Sequence, residues 1–339
     1  MADSKSRRMA ALVFQGVPCV VSSVLLIWSV GALATMRFLP TWFAVTAAVA
    51  WLALAGVLWW RLRVRRGSAA ICIGCFLIML AFFSQEPRND RDWESCQSVV
   101  PRITRAGDTV TIDNFRHATY RTADDYDVEW LSKTYDLRDL EGVEYLVVRF
   151  SPRPGVAHTM LSFRFSGERY VAVSVEVRRE KGRSFSPLLG LYRNFELMYV
   201  IGDERDLLGL RAAIKQDRIQ CYPIKATPDQ VRRAFVSVLQ RAEELRTRPE
   251  FYNTGTNSCC TNLLWHLNEV RVHDVPWQVN VALPGFSDRL VYDLGLIDCK
   301  GTLEEARKEF TLPDVTADSL TRDDWSTYVR RKIEETSAR

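Results

Sequence analysis

An α+β domain placed behind a three-helix transmembrane anchor is the architecture this sequence predicts, and three observations predict it. Residues 9–83 are dominated by Ala, Val, Leu, Ile and Trp; residues 144–178 alternate in strand fashion; residues 227–270 carry helices with clear start signals. The bulk numbers hide this layout. With 339 residues, 25% charged positions and a mean hydropathy of -0.11, the chain resembles an ordinary soluble protein. Two different compositions are joined end to end, and the change comes near Gln85.

The anchor, residues 1–85, contains apolar runs at about 10–36, 38–60 and 68–83. The first two exceed the roughly 20 residues that a helix needs to cross a ~30 Å hydrocarbon core. The third is shorter and fits a span with little tilt, flanked by snorkelling arginines. Lys5, Arg7 and Arg8 precede the first run, Arg37 alone separates the first two, and Arg61, Arg63, Arg65 and Arg66 lie before the third. The positive-inside rule then places the N-terminus and the Arg61–Arg66 loop in the cytoplasm. Three crossings leave residues 86–339 outside, in a multi-pass membrane protein with an exported C-terminal domain. Trp42, Trp59 and Trp60 sit where an aromatic belt is expected. No charged residue falls inside a run, so the helices read as an anchor rather than a transport path.

In the exported part, Thr109–Ile112, Phe115–Thr122 and Glu144–Phe150 read as strands, and the turn Pro152-Arg153-Pro154-Gly155 interrupts them. His158–Phe165 and Glu168–Arg178 alternate on either side of Ser166-Gly167, which predicts a β-hairpin. Arg205–Lys215 looks helical and Cys221–Ile224 looks like a short strand. Thr227-Pro228-Asp229-Gln230 is a capping box with proline at the first helical position, and it opens a helix ended at Arg248-Pro249. A second helix begins at Cys259. The remainder reads as loop-rich, with a charged, peripheral tail from Asp318.

Of the eight cysteines, Cys19, Cys72 and Cys75 fall in the anchor, leaving Cys96, Cys221, Cys259, Cys260 and Cys299 outside. An odd number in an oxidising compartment leaves at least one thiol unpaired or intermolecular. Cys259 draws most interest. A thiol in the first turn of a helix lies at the positive end of the macrodipole, which favours the thiolate. It becomes a nucleophile when a histidine can share its proton. His117 lies in a polar strand and His273 in a basic loop, while His266 is about two turns along the same helix and out of reach. His158, opening a strand after a Pro-Gly turn, is the best placed. The competing structural reading pairs Cys259 or Cys260 with Cys96, Cys221 or Cys299 in a disulfide. No CxxC or HxxxH spacing suggests a metal, and no cofactor is expected. There is no Gly-rich phosphate loop, and the net charge of +4 is partly spent in the arginine loop, so nucleic acid is not an expected partner.

Several colinear runs resemble the Lnb N-terminal periplasmic domain family over about residues 91–298. They are Arg91-Asp92-Trp93, Ala157–Phe163, Tyr170–Gly182, Phe195–Leu207 and Phe251–Asn262. The family segment Thr-Asn-Asn-Cys-Thr-Thr-Asn corresponds to Thr256–Asn262, which makes Cys259 rather than Cys260 the matching cysteine. This chain departs from it at Ser258 and Cys260. His158 matches the family's Ala-His-Thr histidine. A histidine on a strand followed by a cysteine opening a helix looks like a circularly permuted papain-like fold, shared by lecithin:retinol acyltransferase-like enzymes.

The resemblance implies thiol-dependent acyl transfer or acyl hydrolysis on a membrane lipid or lipoprotein. Cys259 would be the nucleophile and His158 the base. Glu176, across the hairpin, would orient the imidazole; counting from a Ser166-Gly167 turn sets His158 opposite Val175, and a shift of one residue brings Ser174 or Glu176 across. The competing reading of Glu176 is a surface ion pair with Arg178 or Arg179. Asn257, the Cys259 backbone N–H and Tyr252 are candidates for an oxyanion site. A cell-wall peptidase or amidase would use the same dyad, and a non-catalytic binding module would hold Cys259 in a disulfide.

Overall fold

Two long apolar helices open the chain, α1 (Ala2–Ala34) and α2 (Thr41–Phe83). Residues 16–34 and 41–83 are each long and apolar enough to cross a membrane. The computed structural model describes residues 2–268, 281 and 283–337, and it divides into two units: 1–87 with 186–194, and 88–185 with 195–339.

In the first unit, α2 is not one straight rod. Arg63 has non-helical angles, φ 61 and ψ 162, and the chain doubles back there. Trp59 Nε1 donates to Ser68 Oγ at 3.2 Å, and a Cβ added to Gly74 would lie 2.1 Å from the Trp51 ring. On a continuous helix, residues 51 and 74 would be about 35 Å apart. The expected 61–66 loop therefore shrinks to a single non-helical residue, since the arginines around it are good helix formers. Two helices replace the three separated runs. Leu26 of α1 packs with Ala55, Ile71 and Cys75 from both arms of α2. Small residues permit this approach, and hydroxyls bind across it: Ser22 to Ser68 at 3.1 Å, and the Trp51 indole to Ser29 at 2.9 Å. Trp42 and Trp60 face outward, whereas Trp59 turns in toward Ser68. Residues 186–194 belong to this unit, with Tyr192 edge-on to Phe82 and Asn194 donating to the Thr35 carbonyl.

The second unit is built on one sheet. Its strands are β1 (Arg102–Ala106), β2 (Thr109–Tyr120), β3 (Tyr126–Asp136), β4 (Leu140–Arg149), β5 (His158–Phe165), β6 (Arg169–Arg178), β7 (Glu196–Gly202) and β8 (Arg218–Pro223). The order is β1-β2-β7-β6-β5-β4-β8, with β3 on β2. The two stretches expected within 109–122 are a single strand, bent by a bulge at Asn114 (φ 59). The strands β1, β3 and β7 carry no clean alternation: β7 is buried along its whole length, and β1 is mostly exposed.

Side-chain alternation gives the sheet two covered faces. Phe163 and Phe165 pack on Phe235 of α4 (Pro228–Thr247), the first tilted and the second edge-on, at ring distances of 4.8 and 5.4 Å. The capping box at Thr227 and Gln230 starts α4 as the sequence predicts. The helix α5 (Cys259–Leu267) also packs against β5 and β6. The opposite residues Met160, Ala172, Met198 and Val200 join Leu207 and Leu208 of α3 (Glu204–Gly209), which passes into a π turn over Leu210–Ile214.

Further along the chain, α6 (Ser287–Asp293) and α7 (Leu303–Glu309) occupy stretches expected to be loop. The tail is not peripheral either. It forms α8 (Trp325–Ser337), whose Trp325, Val329 and Ile333 enter the core at helical spacing. Arg330 from the same helix bridges Glu144 and Glu204, at 2.6 and 2.7 Å. A high charge density concealed this apolar stripe.

Candidate active site

The β5–β6 hairpin carries the histidine side of the site. Its loop has three residues rather than two: Phe165 pairs with Arg169, and Gly167 and Glu168 both take positive φ. The extra residue moves the register by one, so Met160 faces Ser174 and the ladder, continued, sets His158 beside Glu176 rather than Val175. His158, Ser174 and Glu176 then project from the same face. His158 Nε2 lies 2.6 Å from Ser174 Oγ and 3.4 Å from Glu176 Oε1, and Ser174 Oγ donates to Glu176 Oε1 at 2.6 Å. Arg178 is committed elsewhere, donating to Asn89, Gln97 and Ser98 while stacking on Trp93. Glu176 is thus a partner of His158 and not a surface ion pair.

The cysteine side is set by the loop ahead of α5. Asn253 and Asn257 exchange backbone hydrogen bonds, and Asn253 Oδ1 accepts from the N–H groups of Gly255 and Thr256, which closes a tight turn. Ser258 caps the helix, its N–H donating to Thr261 Oγ1 at 2.7 Å. Cys259 therefore occupies the first helical position, where N–H groups lack intrahelical acceptors.

Behind the loop runs a chain of polar contacts. Arg241 holds Glu250, Glu250 accepts from Asn257, and Asn257 accepts from Asn262 at 2.9 Å. Tyr199 donates to Asn262, and its hydroxyl also meets His266 Nε2 at 2.7 Å. His266 Nδ1 contacts Ser237 at 2.9 Å. Both nitrogens of His266 are occupied, and burial followed by the Arg241 charge depresses its pKa to about 3. It is a structural residue, remote from the thiol. Asn257 also spends both amide hydrogens, on Glu250 and on the Phe251 carbonyl, so its side chain positions the loop. Tyr252 is buried beside the site, edge-on to Phe185; burial, with the charges of Cys259 and Glu176, pushes its pKa well up and keeps the phenol protonated. His117 lies 3.7 Å from Asp203, away from these groups, and His273 lies outside the described residues.

The two sides meet. The Cys259 thiol lies close enough to His158 and Thr159 for both to act on its charge. Burial alone would raise the thiol pKa, but the His158 charge, with the polar groups of His158 and Thr159, outweighs it and brings it below the ordinary value. Burial likewise pulls His158 down, yet Glu176 and then Cys259 outweigh it and hold the imidazole up at about 9. Glu176 is held well below the usual carboxylate range, because His158 and Arg211 overcome its burial. Both shifts favour the thiolate–imidazolium form of the pair, whose members are 5% exposed at Cys259 and 8% at His158.

Cys260 differs in its contacts and in the direction of its pKa shift. It is fully buried, 3.8 Å from the Tyr145 hydroxyl, and burial with the Cys259 charge pushes its thiol well up. None of the eight cysteines is in a disulfide. Thr159 is the site residue that sequence reasoning passed over, and Ser174 enters there only as one outcome of a shifted register. Thr159 is a β-branched residue in a strand, and Ser174 is one small residue in an alternating run, so neither stands out before the register is known. Among the described residues, the buried Thr159 Oγ1 is the side-chain oxygen or nitrogen that has no hydrogen-bond partner.

No curated protein and no solved structure matches the chain. The sequence profile described as Lnb N-terminal periplasmic domain matches residues 126–284, a narrower stretch than the 91–298 over which the motifs align. That match runs from β3 to the start of the 284–286 turn and includes every residue of the thiol site. The segment holding His158, Ser174, Glu176 and Cys259 is therefore similar to the Lnb N-terminal periplasmic domain family, a periplasmic type of domain that here follows apolar helices.

Proposed function

We propose that this protein is a cysteine-dependent acyltransferase or acyl hydrolase acting on lipid or lipoprotein acyl groups. The observation that carries the reading is the Cys259–His158 pair at the start of a helix, with Glu176 behind the imidazole. Three passes of the apolar segments, α1 and the two arms of α2, would anchor it in the inner membrane and put residues 86–339 in the periplasm. The fold would be a circularly permuted papain-like one.

The reaction follows from the pair. The Cys259 thiolate attacks the acyl carbonyl carbon; a C–S bond forms and the carbonyl electrons move to oxygen. Collapse of that tetrahedral species breaks the bond to the leaving alkoxide, which takes the proton from the His158 imidazolium. An acceptor amine or water then attacks the thioester, gives its proton to His158, and releases the thiolate. Backbone N–H groups at the start of α5 and the Tyr252 hydroxyl supply the oxyanion contacts. Apolar side chains around the loop into β5 favour an acyl substrate over a peptide: Phe150, Leu283 and Phe286 are exposed, and Gly155 packs beside the last two.

The test uses the full chain in detergent, vesicles of phospholipid with a fluorescent acyl chain, and an amine-terminated lipopeptide. Acyl release or transfer should fall at least ~100-fold in Cys259→Ala and in His158→Ala, the scale at which general-base catalysis contributes. Equal turnover by wild type and both variants would overturn the reading.

A further inference from the structure

The hydroxyl of Ser174 stands between the histidine and the carboxylate, and hydrogen-bond accounting fixes its role. Ser174 is fully buried and has one O–H. That hydrogen goes to Glu176 Oε1 at 2.6 Å, because an ionised carboxylate can only accept. Ser174 Oγ can then only accept from His158 Nε2, 2.6 Å away. The imidazole must carry its hydrogen on Nε2, and Nδ1 is left for the Cys259 sulfur. The direct His158–Glu176 separation of 3.4 Å is the longer path.

We propose that Ser174 is the positioning residue of this site. Its hydroxyl relays the contact between His158 Nε2–H and Glu176, and so holds the ring in the tautomer that presents Nδ1 to Cys259. The inference rests on the Cys259–His158 reading above and deepens it. During a cycle the proton moves between Sγ and Nδ1 only, while the Nε2–H···Oγ–H···Oε1 chain keeps its hydrogens and becomes charge-assisted at both ends as the imidazolium forms. A side chain opposite the ladder position of Met160 can do this because it lies one pleat nearer the hairpin turn on β6 than Glu176, which stands beside His158, and its short arm fills the gap that a lone glutamate leaves.

The experiment measures iodoacetamide modification of Cys259 against pH in the full chain, read by mass spectrometry of the Cys259 peptide, so that no substrate is needed. Ser174→Ala should raise the midpoint by about one pH unit, lowering the rate near neutrality about tenfold, and Ser174→Thr, which keeps the hydroxyl, should restore it. A wild-type profile in Ser174→Ala, alongside a shifted profile in His158→Ala, would overturn the role of Ser174 and leave the dyad standing. An unshifted His158→Ala profile would overturn the dyad itself. Should Ser174→Ala not fold, the wild-type chain decides: with four histidines to assign, imidazole ¹⁵N shifts above the His158 pKa should give the Nε2–H tautomer, and the Nδ1–H tautomer would refute the relay.

Discussion

At the residue scale, the site is a matter of which charged form each side chain is held in. A thiol brought below its usual pKa and an imidazole held near 9 coexist as an ion pair over a window that closes on the alkaline side at about 9. Acylation of Cys259 should therefore fall as pH rises through about 9 and, on the acid side, as pH drops through the lowered thiol pKa; a pH–rate profile measures both limbs. Stability follows the same signs. The His158 pKa is raised from 6.5, so the stabilisation from its charge is complete below 6.5 and lost as pH rises through about 9. The difference in melting temperature between wild type and His158→Ala should shrink over that interval. Glu176, depressed by its partners, contributes above the ordinary carboxylate range and loses its contribution on acidification. Cys260→Ala should retain acyl transfer, in contrast to Cys259→Ala, because Cys260 is buried against Tyr145 with its proton held on. Loss of activity in Cys260→Ala, with the fold intact by circular dichroism, would count against that division.

At the scale of elements, the loop before α5 and the tail helix make the strongest demands. Asn257 and Asn262 link Glu250 to Tyr199 inside the protein, and truncating Asn262 to Ala strands the Tyr199 and Asn257 partners. That should cost about 1–3 kcal/mol in chemical denaturation and slow alkylation of Cys259 by loosening the turn. On the opposite face, Arg330→Met leaves Glu204 buried and both Glu144 and Glu204 without this cation, a loss of about 3–5 kcal/mol. The legible parts of the fold were those with a local signature. The capping box of α4, the alternation of β5 and β6 and the helix start at Cys259 could be read from neighbouring residues alone. The register of the hairpin could not, because a glutamate taking positive φ at position 168 has no strong sequence mark. The helix α8 was hidden for a different reason: its Trp325, Val329 and Ile333 are outnumbered by charges that stay in water or pair with distant strands.

At the scale of the whole molecule, an apolar N-terminal unit precedes a mixed α/β unit that bears the thiol site. Arg63 breaks α2 where arginines cluster, and a reporter placed after Gln85 should be active in the periplasm, while one placed within 61–66 should be active in the cytoplasm. The tight approach at Gly74 belongs to this scale as well: Gly74→Leu would drive a side chain into Trp51 and should separate the arms of α2, read as loss of membrane-extracted, protease-resistant protein. The site residues within this architecture were partly visible in advance. Cys259, His158 and Glu176 could be named because a helix-start thiol, a strand histidine and the motif resemblance point to them together. Ser174 and Thr159 depend on a three-dimensional register, and Asn257 was misread as an oxyanion donor because nothing local shows that Glu250 and the Phe251 carbonyl take its hydrogens.

The central claim is that the Cys259 sulfur is the nucleophile and that His158 activates it. Incubating the full chain with a p-nitrophenyl acyl ester and mapping the acylated peptide tests this most directly. The account predicts a hydroxylamine-sensitive acyl thioester on Cys259 that is lost in His158→Ala, and a thioester confined to another cysteine, or undiminished in His158→Ala, would contradict it.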